Sequence, residues 1–241
     1  MNIDADASRF ESAGRHQYGH RGWGAAAEAR GLIGDAIVRA RLGKAEAVRL
    51  VLLGAPGSGK GTQAERIVGW LRIAHLSTGH ILREAISSGT PVGLSVQAVV
   101  ESGGLVPDEV VSSIVLERLA DASSQRGYVL DGFPRTIGQA QALDAGLKQM
   151  GQELDHVVEL VVSPDILIER IVRRADQARA MGIPIRADDN PATFKKRLDA
   201  YVAETAPVSD YYRNRGKLRL VDGMQDPDAV AREVLRALGK S

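Results

Sequence analysis

Four glycines and a lysine carry the first chemistry. Gly54, Gly57, Gly59 and Gly61 punctuate the string GAPGSGKGT at residues 54–62, with Lys60 between the last two. Glycines let backbone N–H groups turn inward and approach a polyphosphate closely. A helix beginning behind them adds the positive end of its dipole. Lys60 supplies a full positive charge for the outer phosphates. The general phosphate-loop pattern places Ser or Thr directly after the lysine, to hold Mg²⁺. Here Gly61 stands in that place, and the hydroxyl comes one residue later at Thr62. Further along, Asp131 closes the apolar run Tyr128-Val129-Leu130. An acid at the end of a buried strand, in a chain with a phosphate loop, suits the organisation of Mg²⁺ and its waters.

The remaining charge is carried by arginines. Arg83, Arg135, Arg170, Arg173, Arg174, Arg186 and Arg197 are spread over the chain. A solvated basic face is the plain reading of such residues. Should the phosphate loop serve a phosphoryl transfer, arginines converging on it would neutralise the charge that spreads over the moving group. A single such arginine is worth roughly 10³–10⁵ in rate.

These residues need elements to hold them. The apolar run at 48–53 reads as a buried strand, and 60–71 as the helix behind the glycines. A short strand is expected at 74–76. Ser77-Thr78-Gly79 then reads as an N-cap for a helix at 81–88, with Arg83 one turn in. Helices follow at 92–102 and from 108 to about 120, with no strand between them; this set looks like an insertion beside the main sheet. Residues 128–131 form the next strand, and Thr136 caps a helix carrying Gln139. After a strand at 157–162, Ser163-Pro164 opens a helix carrying Arg170, Arg173 and Arg174. Arg197 belongs to a later long helix. The last strand is 218–221, and Asp226-Pro227 starts the final helix.

The chain has 241 residues, 44% hydrophobic and 25% charged, with a formal net charge of +1. That balance gives no argument for nucleic acid or a membrane surface as partner. No apolar run is long enough to span a bilayer. With no cysteine, disulfides and cysteine-based zinc sites are excluded, and a reducing, cytoplasmic setting is expected. Residues 1–47 read differently from the rest. They lack the basic start and apolar core of a secretory signal, and acids interrupt them where an organelle presequence avoids acids. We expect an extension outside the core, mobile over most of its length, with a helix near 25–44.

Taken together, GAPGSGKGT (54–62), STG (77–79) with Arg83, LVPDE (105–109) and LDGFPRT (130–136) with Gln139 resemble the adenylate kinases of the nucleoside-monophosphate kinase family. RADD (186–189), KKRL (195–198), TAP (205–207) and VDG (221–223) continue the likeness in order. It runs from about residue 48 to 238. The resemblance implies a P-loop NTPase-like three-layer α/β fold with a parallel central sheet, in one domain at 48–241. It also implies two mobile parts: a monophosphate-binding segment at about 77–106 and a short lid at about 175–185. About a dozen residues separate Arg174 from Arg186, the length of an ordinary connection rather than a folded insert. The implied reaction is Mg²⁺·ATP + AMP ⇌ 2 ADP, with Mg²⁺ carried on ATP and no zinc. By the same resemblance, Gly57, Ser58, Gly59, Lys60, Gly61, Thr62, Arg170 and Gln225 belong to the ATP side. Thr78, Arg83, Leu105, Val106, Gly132, Arg135, Gln139, Arg186 and Arg197 belong to the AMP side. Lys60, Arg135, Arg170, Arg186 and Arg197 are the catalytic set, with Arg174 a further candidate. Asp131, through waters, and Thr62 are the metal contacts. A monomer is expected, since one chain carries both nucleotide sites.

One position departs from the pattern. STG is followed by His80, where the family carries Asp. That swap predicts a weaker Mg²⁺ site and a slower, more pH-sensitive enzyme. Two alternatives stay open from sequence: a kinase for UMP or CMP, and a nucleotide-binding relative whose metal site has decayed at His80.

Overall fold

The computed structural model describes residues 47–121, 124–182 and 191–239. The expected extension therefore lies outside the described residues except for Ala47, and so does Arg186. In chain order the elements begin with β1 (Val48–Leu53), α1 (Lys60–Leu71), β2 (Ala74–Ser77), α2 (Thr78–Ser87), α3 (Pro91–Glu101) and α4 (Asp108–Ala120). Next come β3 (Gly127–Asp131), α5 (Ile137–Gln149), β4 (His156–Val161), α6 (Pro164–Ala180) and α7 (Pro191–Ala200). A π-helical turn (Tyr201–Thr205) joins α7 to α8 (Ala206–Arg213), and β5 (Leu218–Asp222) and α9 (Pro227–Ala237) are the last elements among the described residues.

The five strands form one sheet in the order β2-β3-β1-β4-β5, parallel at every pairing. Parallel sheets are covered on both faces, so their strands read as near-continuous apolar runs. β1 illustrates the cause. Successive side chains point to opposite faces: Val48, Leu50 and Leu52 pack with Val129, Val158 and Leu160, whereas Val51 and Leu53 pack with Tyr128, Leu130 and Val157. Ala64, Ile67 and Leu71 of α1 and Val230 and Val234 of α9 cover the first face. Val115 and Leu119 of α4, Leu143 and Leu147 of α5, and Val208 and Tyr212 of α8 cover the second. The result is the three-layer α/β arrangement that the sequence predicts. Leu82 of α2 and Val96 of α3 join the second layer, so the helical insertion between β2 and β3 packs through its apolar residues.

Some helix starts follow local chemistry and others do not: Ser163 stands before Pro164 at the head of α6 but makes no side-chain cap bond. Thr90 caps α3, its hydroxyl accepting from Gly93 N at 3.1 Å. Asp226 caps α9, accepting from Asp228 N and Ala229 N, both at 3.0 Å. The cap expected at 77–79 does not form in that way. α2 already begins at Thr78, and Ser77 in the cap position makes no side-chain cap bond. The Thr78 hydroxyl donates instead to Gly132 O at 2.9 Å, across to the loop after β3. A tertiary partner outcompetes the local cap. α6 runs on to Ala180, so the first residues of the segment expected at 175–185 are helical; 183–185 lie outside the described residues.

Candidate active site

All five strands end at the same edge, and the loops leaving β1, β3 and β5 meet there. Gly59 occupies the N-cap of α1 at φ 97, a left-handed backbone that only glycine adopts at little cost. The free N–H groups of the first α1 turn thereby face the loop. Lys60 Nζ donates to Gly54 O at 2.7 Å and Ala55 O at 3.0 Å, so the ammonium lies against the loop that must wrap a phosphate. Burial pulls its pKa down to about 8; Asp131 opposes the fall, and Arg135, Arg197 and Arg174 add to it. Such a lysine gains most from a polyanion beside it.

Arg170 braces the same loop. Its Nη1 donates to Ser58 O at 3.1 Å and its Nη2 to Gly223 O at 2.8 Å. One guanidinium thus ties the phosphate loop to the β5–α9 loop that carries Gln225. Ala55 packs with Leu167 and Ile171 of α6 and Phe194 of α7, which fixes the arginine-bearing helices beneath the loop. Gly57, Ser58, Gly59, Lys60, Gly61, Thr62, Arg170 and Gln225 all line one cleft of about 1400 Å³.

Asp131 ends β3 and faces that cleft. Burial works against its charge, but the imidazole of His75, Lys60 and Arg135 outweigh it and hold the carboxyl below its ordinary range. His75 Nε2 stands 3.8 Å from Asp131 Oδ2. Gly61 passes so close that a Cβ there would lie 3.8 Å from Asp131 Oδ2. Among the described residues no cluster of three or more His, Cys, Asp or Glu forms a metal cage. A single ionised acid beside the phosphate loop fits Mg²⁺ that arrives on ATP, since this ion keeps several waters and takes few protein ligands. His80 lines the cleft and is exposed.

A second, smaller cavity opens from the first. Thr78, Arg83, Leu105, Val106, Gly132, Arg135, Gln139 and Arg197 all line it. Gly132 borders it with a left-handed backbone, at φ 84. A Cβ on it would stand 2.8 Å from Thr78 Oγ1 and 3.2 Å from Arg135 Nη2. Its carbonyl accepts from Arg135 Nε at 2.7 Å, and Thr205, in the π-helical turn, holds Arg135 O at 2.8 Å. Arg197 reaches over from α7: a Cβ on Gly103 would lie 2.9 Å from its Cγ. Arg83, Gly103, Leu105, Gly132, Arg135 and Arg197 border both spaces, so the two are one continuous site with guanidiniums at the seam.

A family model described as "Adenylate kinase" matches residues 52–217. Curated relatives with that name agree over most of the chain. The one from Methylorubrum populi is 54% identical over 187 residues, 78% of this chain and 94% of the relative. Those from Xanthobacter autotrophicus and Beijerinckia indica are 52% and 49% identical over 183 and 191 residues, covering 76% and 79% of this chain and 94% and 99% of theirs. The chain belongs to the adenylate kinase family. Every described residue that sequence reasoning assigned to an adenylate kinase site thus borders the cleft or its side cavity, apart from Arg186, which lies outside the described residues. Sequence reasoning passed over His75, read only as a strand residue, and Tyr201, which borders the cleft and donates to Glu159 Oε1 at 2.9 Å. The strand register Ser77↔Asp131 puts His75 on the acid's side of the sheet, and no local motif announces that.

Proposed function

We propose that this adenylate kinase transfers the terminal phosphoryl group of Mg²⁺·ATP to AMP, reversibly, giving two ADP. The carrying observation is the continuity of the two spaces. A glycine cradle with Lys60 opens directly onto a cavity lined by Arg83, Arg135 and Arg197. ATP takes the cradle, its base toward Gln225 and its phosphates on the α1 N-terminus and Lys60. AMP takes the side cavity, its phosphate toward Arg83 and Arg135 and its base toward Thr78, Leu105, Val106 and Gln139. Mg²⁺ on the ATP phosphates supplies charge neutralisation beside Asp131 and Thr62.

The transfer is direct. An oxygen of the AMP phosphate forms the new bond to the γ-phosphorus as the bond to the β–γ bridging oxygen breaks. The acceptor is already an anion and needs no base, so catalysis rests on positioning and electrostatic stabilisation. Arg135, Arg170, Arg174, Arg186 and Arg197 meet the charge that moves. Closure of segments 77–106 and 175–185 keeps water from acting as acceptor. We take the working unit as a cytoplasmic monomer that uses neither zinc nor a nucleic-acid partner; among the described residues no helix is long and apolar enough to cross a membrane.

The test is a coupled assay of ADP formation with ATP and each of AMP, GMP, CMP and UMP. The expected result is two ADP per ATP consumed, dependent on AMP and far slower with the other acceptors. Faster turnover of UMP or CMP, or nucleotide binding without turnover, would overturn the proposal.

A further inference from the structure

The acid that heads α4 serves a different helix. Asp108 is the first residue of α4, where an acid commonly complements its own helix's free N–H groups and dipole. Both of its oxygens turn instead to α5. Oδ2 accepts the Thr136 hydroxyl at 2.6 Å, and Oδ1 accepts Gln139 Nε2 at 2.8 Å. The approach depends on Gly138, one of the two residues between Thr136 and Gln139. A Cβ on Gly138 would stand 2.7 Å from Asp108 Oδ2.

Gln139 is only 2% exposed, and its other end is also committed. Oε1 accepts from Arg135 N at 2.7 Å. A backbone N–H only donates and a carboxylate only accepts, so these two contacts dictate which end of the amide is oxygen and which is nitrogen. One N–H and one oxygen lone pair are left over, on a residue that borders the side cavity. A primary amide reads adenine with both ends, accepting from the exocyclic amine and donating to a ring nitrogen. Guanine presents an acceptor where adenine presents that amine. The direction of the amide is therefore a choice between bases.

We propose that Asp108 is a positioning residue that sets the base preference of the side cavity by holding the Gln139 amide in one orientation. This rests on the reading that the cavity takes the acceptor AMP. Asp108 does not border the cavity; it acts through Gln139.

The experiment compares KM for AMP, GMP and ATP, with kcat, in the wild type, Asp108→Ala, Asp108→Asn, Gln139→Ala and the Asp108→Ala/Gln139→Ala double variant. Losing one two-ended base contact predicts a rise of about tenfold in KM for AMP in Asp108→Ala, and a similar narrowing of the AMP-over-GMP preference. KM for ATP and kcat at saturating AMP stay within about twofold, because the uniform binding lost belongs to one substrate. On the Gln139→Ala background the same change adds less than about twofold, as a shared pathway requires. Asp108→Asn keeps the shape, but its single carbonyl oxygen cannot serve both donors. It shifts KM and preference in the same direction by less, and it decides the matter should Asp108→Ala fail to fold. Unchanged KM for AMP and unchanged preference in these variants, beside a wild type that prefers AMP, would overturn this inference alone. So would an undiminished effect of Asp108→Ala in the double variant. A wild type with no AMP-dependent turnover would instead bring down the functional reading, and this inference with it.

Discussion

The two halves of the site are built from different materials. The phosphate-loop half is mainly backbone: nine consecutive residues, 54–62, running from the end of one strand into the first turn of one helix, with Gly59 at φ 97 and carbonyls that take Lys60 and Arg170. The side-cavity half is side chain. Thr78 comes from α2, Leu105 and Val106 from the α3–α4 loop, Arg135 and Gln139 from the start of α5, and Arg197 from α7. A backbone cradle recognises what every nucleoside triphosphate shares. A cavity assembled from separate elements recognises one base and one phosphate, and its geometry depends on how those elements sit. Changes in the first half should therefore act on rate, and changes in the second on the affinity and identity of the acceptor.

Lys60→Met attacks the first half most directly. It removes the one lysine charge in the cradle while leaving the glycines in place. We expect kcat to fall by at least ~10²-fold, the scale for deleting one preorganised electrostatic contact, with KM for AMP little changed. Steady-state kinetics of ADP formation measure both; full-speed synthesis in this variant would contradict the assignment of the cradle.

Gly132→Ala is the matching attack on the second half. The added methyl meets Thr78 Oγ1 at 2.8 Å and Arg135 Nη2 at 3.2 Å, on a backbone at φ 84. The strain is of order 1–3 kcal/mol, and relief requires moving side chains that border the acceptor cavity. We expect KM for AMP to rise about tenfold, in proportion to strain of that size, with KM for ATP nearly constant. A thermal melt separates this from global loss of the fold. Equal rises in both KM values would erase the distinction between the halves.

The same contrast explains what was legible in the sequence. The cradle is contiguous, so strand, glycines, lysine and helix could be read together, and Asp131 followed because it ends an apolar strand. The strands themselves were legible because β1, β3 and β4 are mostly apolar and largely buried, with Arg49 and Glu159 as interruptions, while their parallel pairing followed from the family resemblance. The side cavity emerged only through family resemblance, since its parts lie as far apart in the chain as Thr78 and Arg197 and no local period links them. Local rules failed where a distant partner won: Ser77 and Thr78 look like caps, but Thr78 spends its hydroxyl on Gly132 O. Asp108 looks like a helix-starting acid, and the contacts to Thr136 and Gln139 that redirect it span 28 and 31 residues.

Lys60 also gives the first half a pH dependence of its own. Its pKa in the cleft is about 8, lowered chiefly by burial. A lowered lysine is charged below that value and neutral above it. The attraction for triphosphate is thus complete below about pH 8 and fades as pH rises through it. We expect kcat/KM for ATP to decline above pH 8, by up to about tenfold per pH unit, because this ratio reports groups of the free enzyme. Lys60→Arg keeps its charge throughout, so whatever its rate, its profile should stay level there. A decline that persists in Lys60→Arg would assign the titration to another group.

His80 stands exposed in the first turn of α2 and borders the main cleft. Its effect should be the smallest, because Asp131 is already held ionised by His75, Lys60 and Arg135. An acid at position 80 adds negative charge where waters around Mg²⁺·ATP need acceptors, so His80→Asp should lower the Mg²⁺ concentration for half-maximal rate by a few-fold, about 1 kcal/mol or less. The new acid would also complement the α2 dipole by roughly 0.3–1 kcal/mol, a gain in thermal stability that needs no metal. His80→Asn separates the two causes, since it removes the imidazole without adding charge. If His80→Asp changes the melt alone, with the Mg²⁺ titration and kcat both unmoved, Asp131 and water suffice, and the departure at position 80 concerns the helix rather than the reaction.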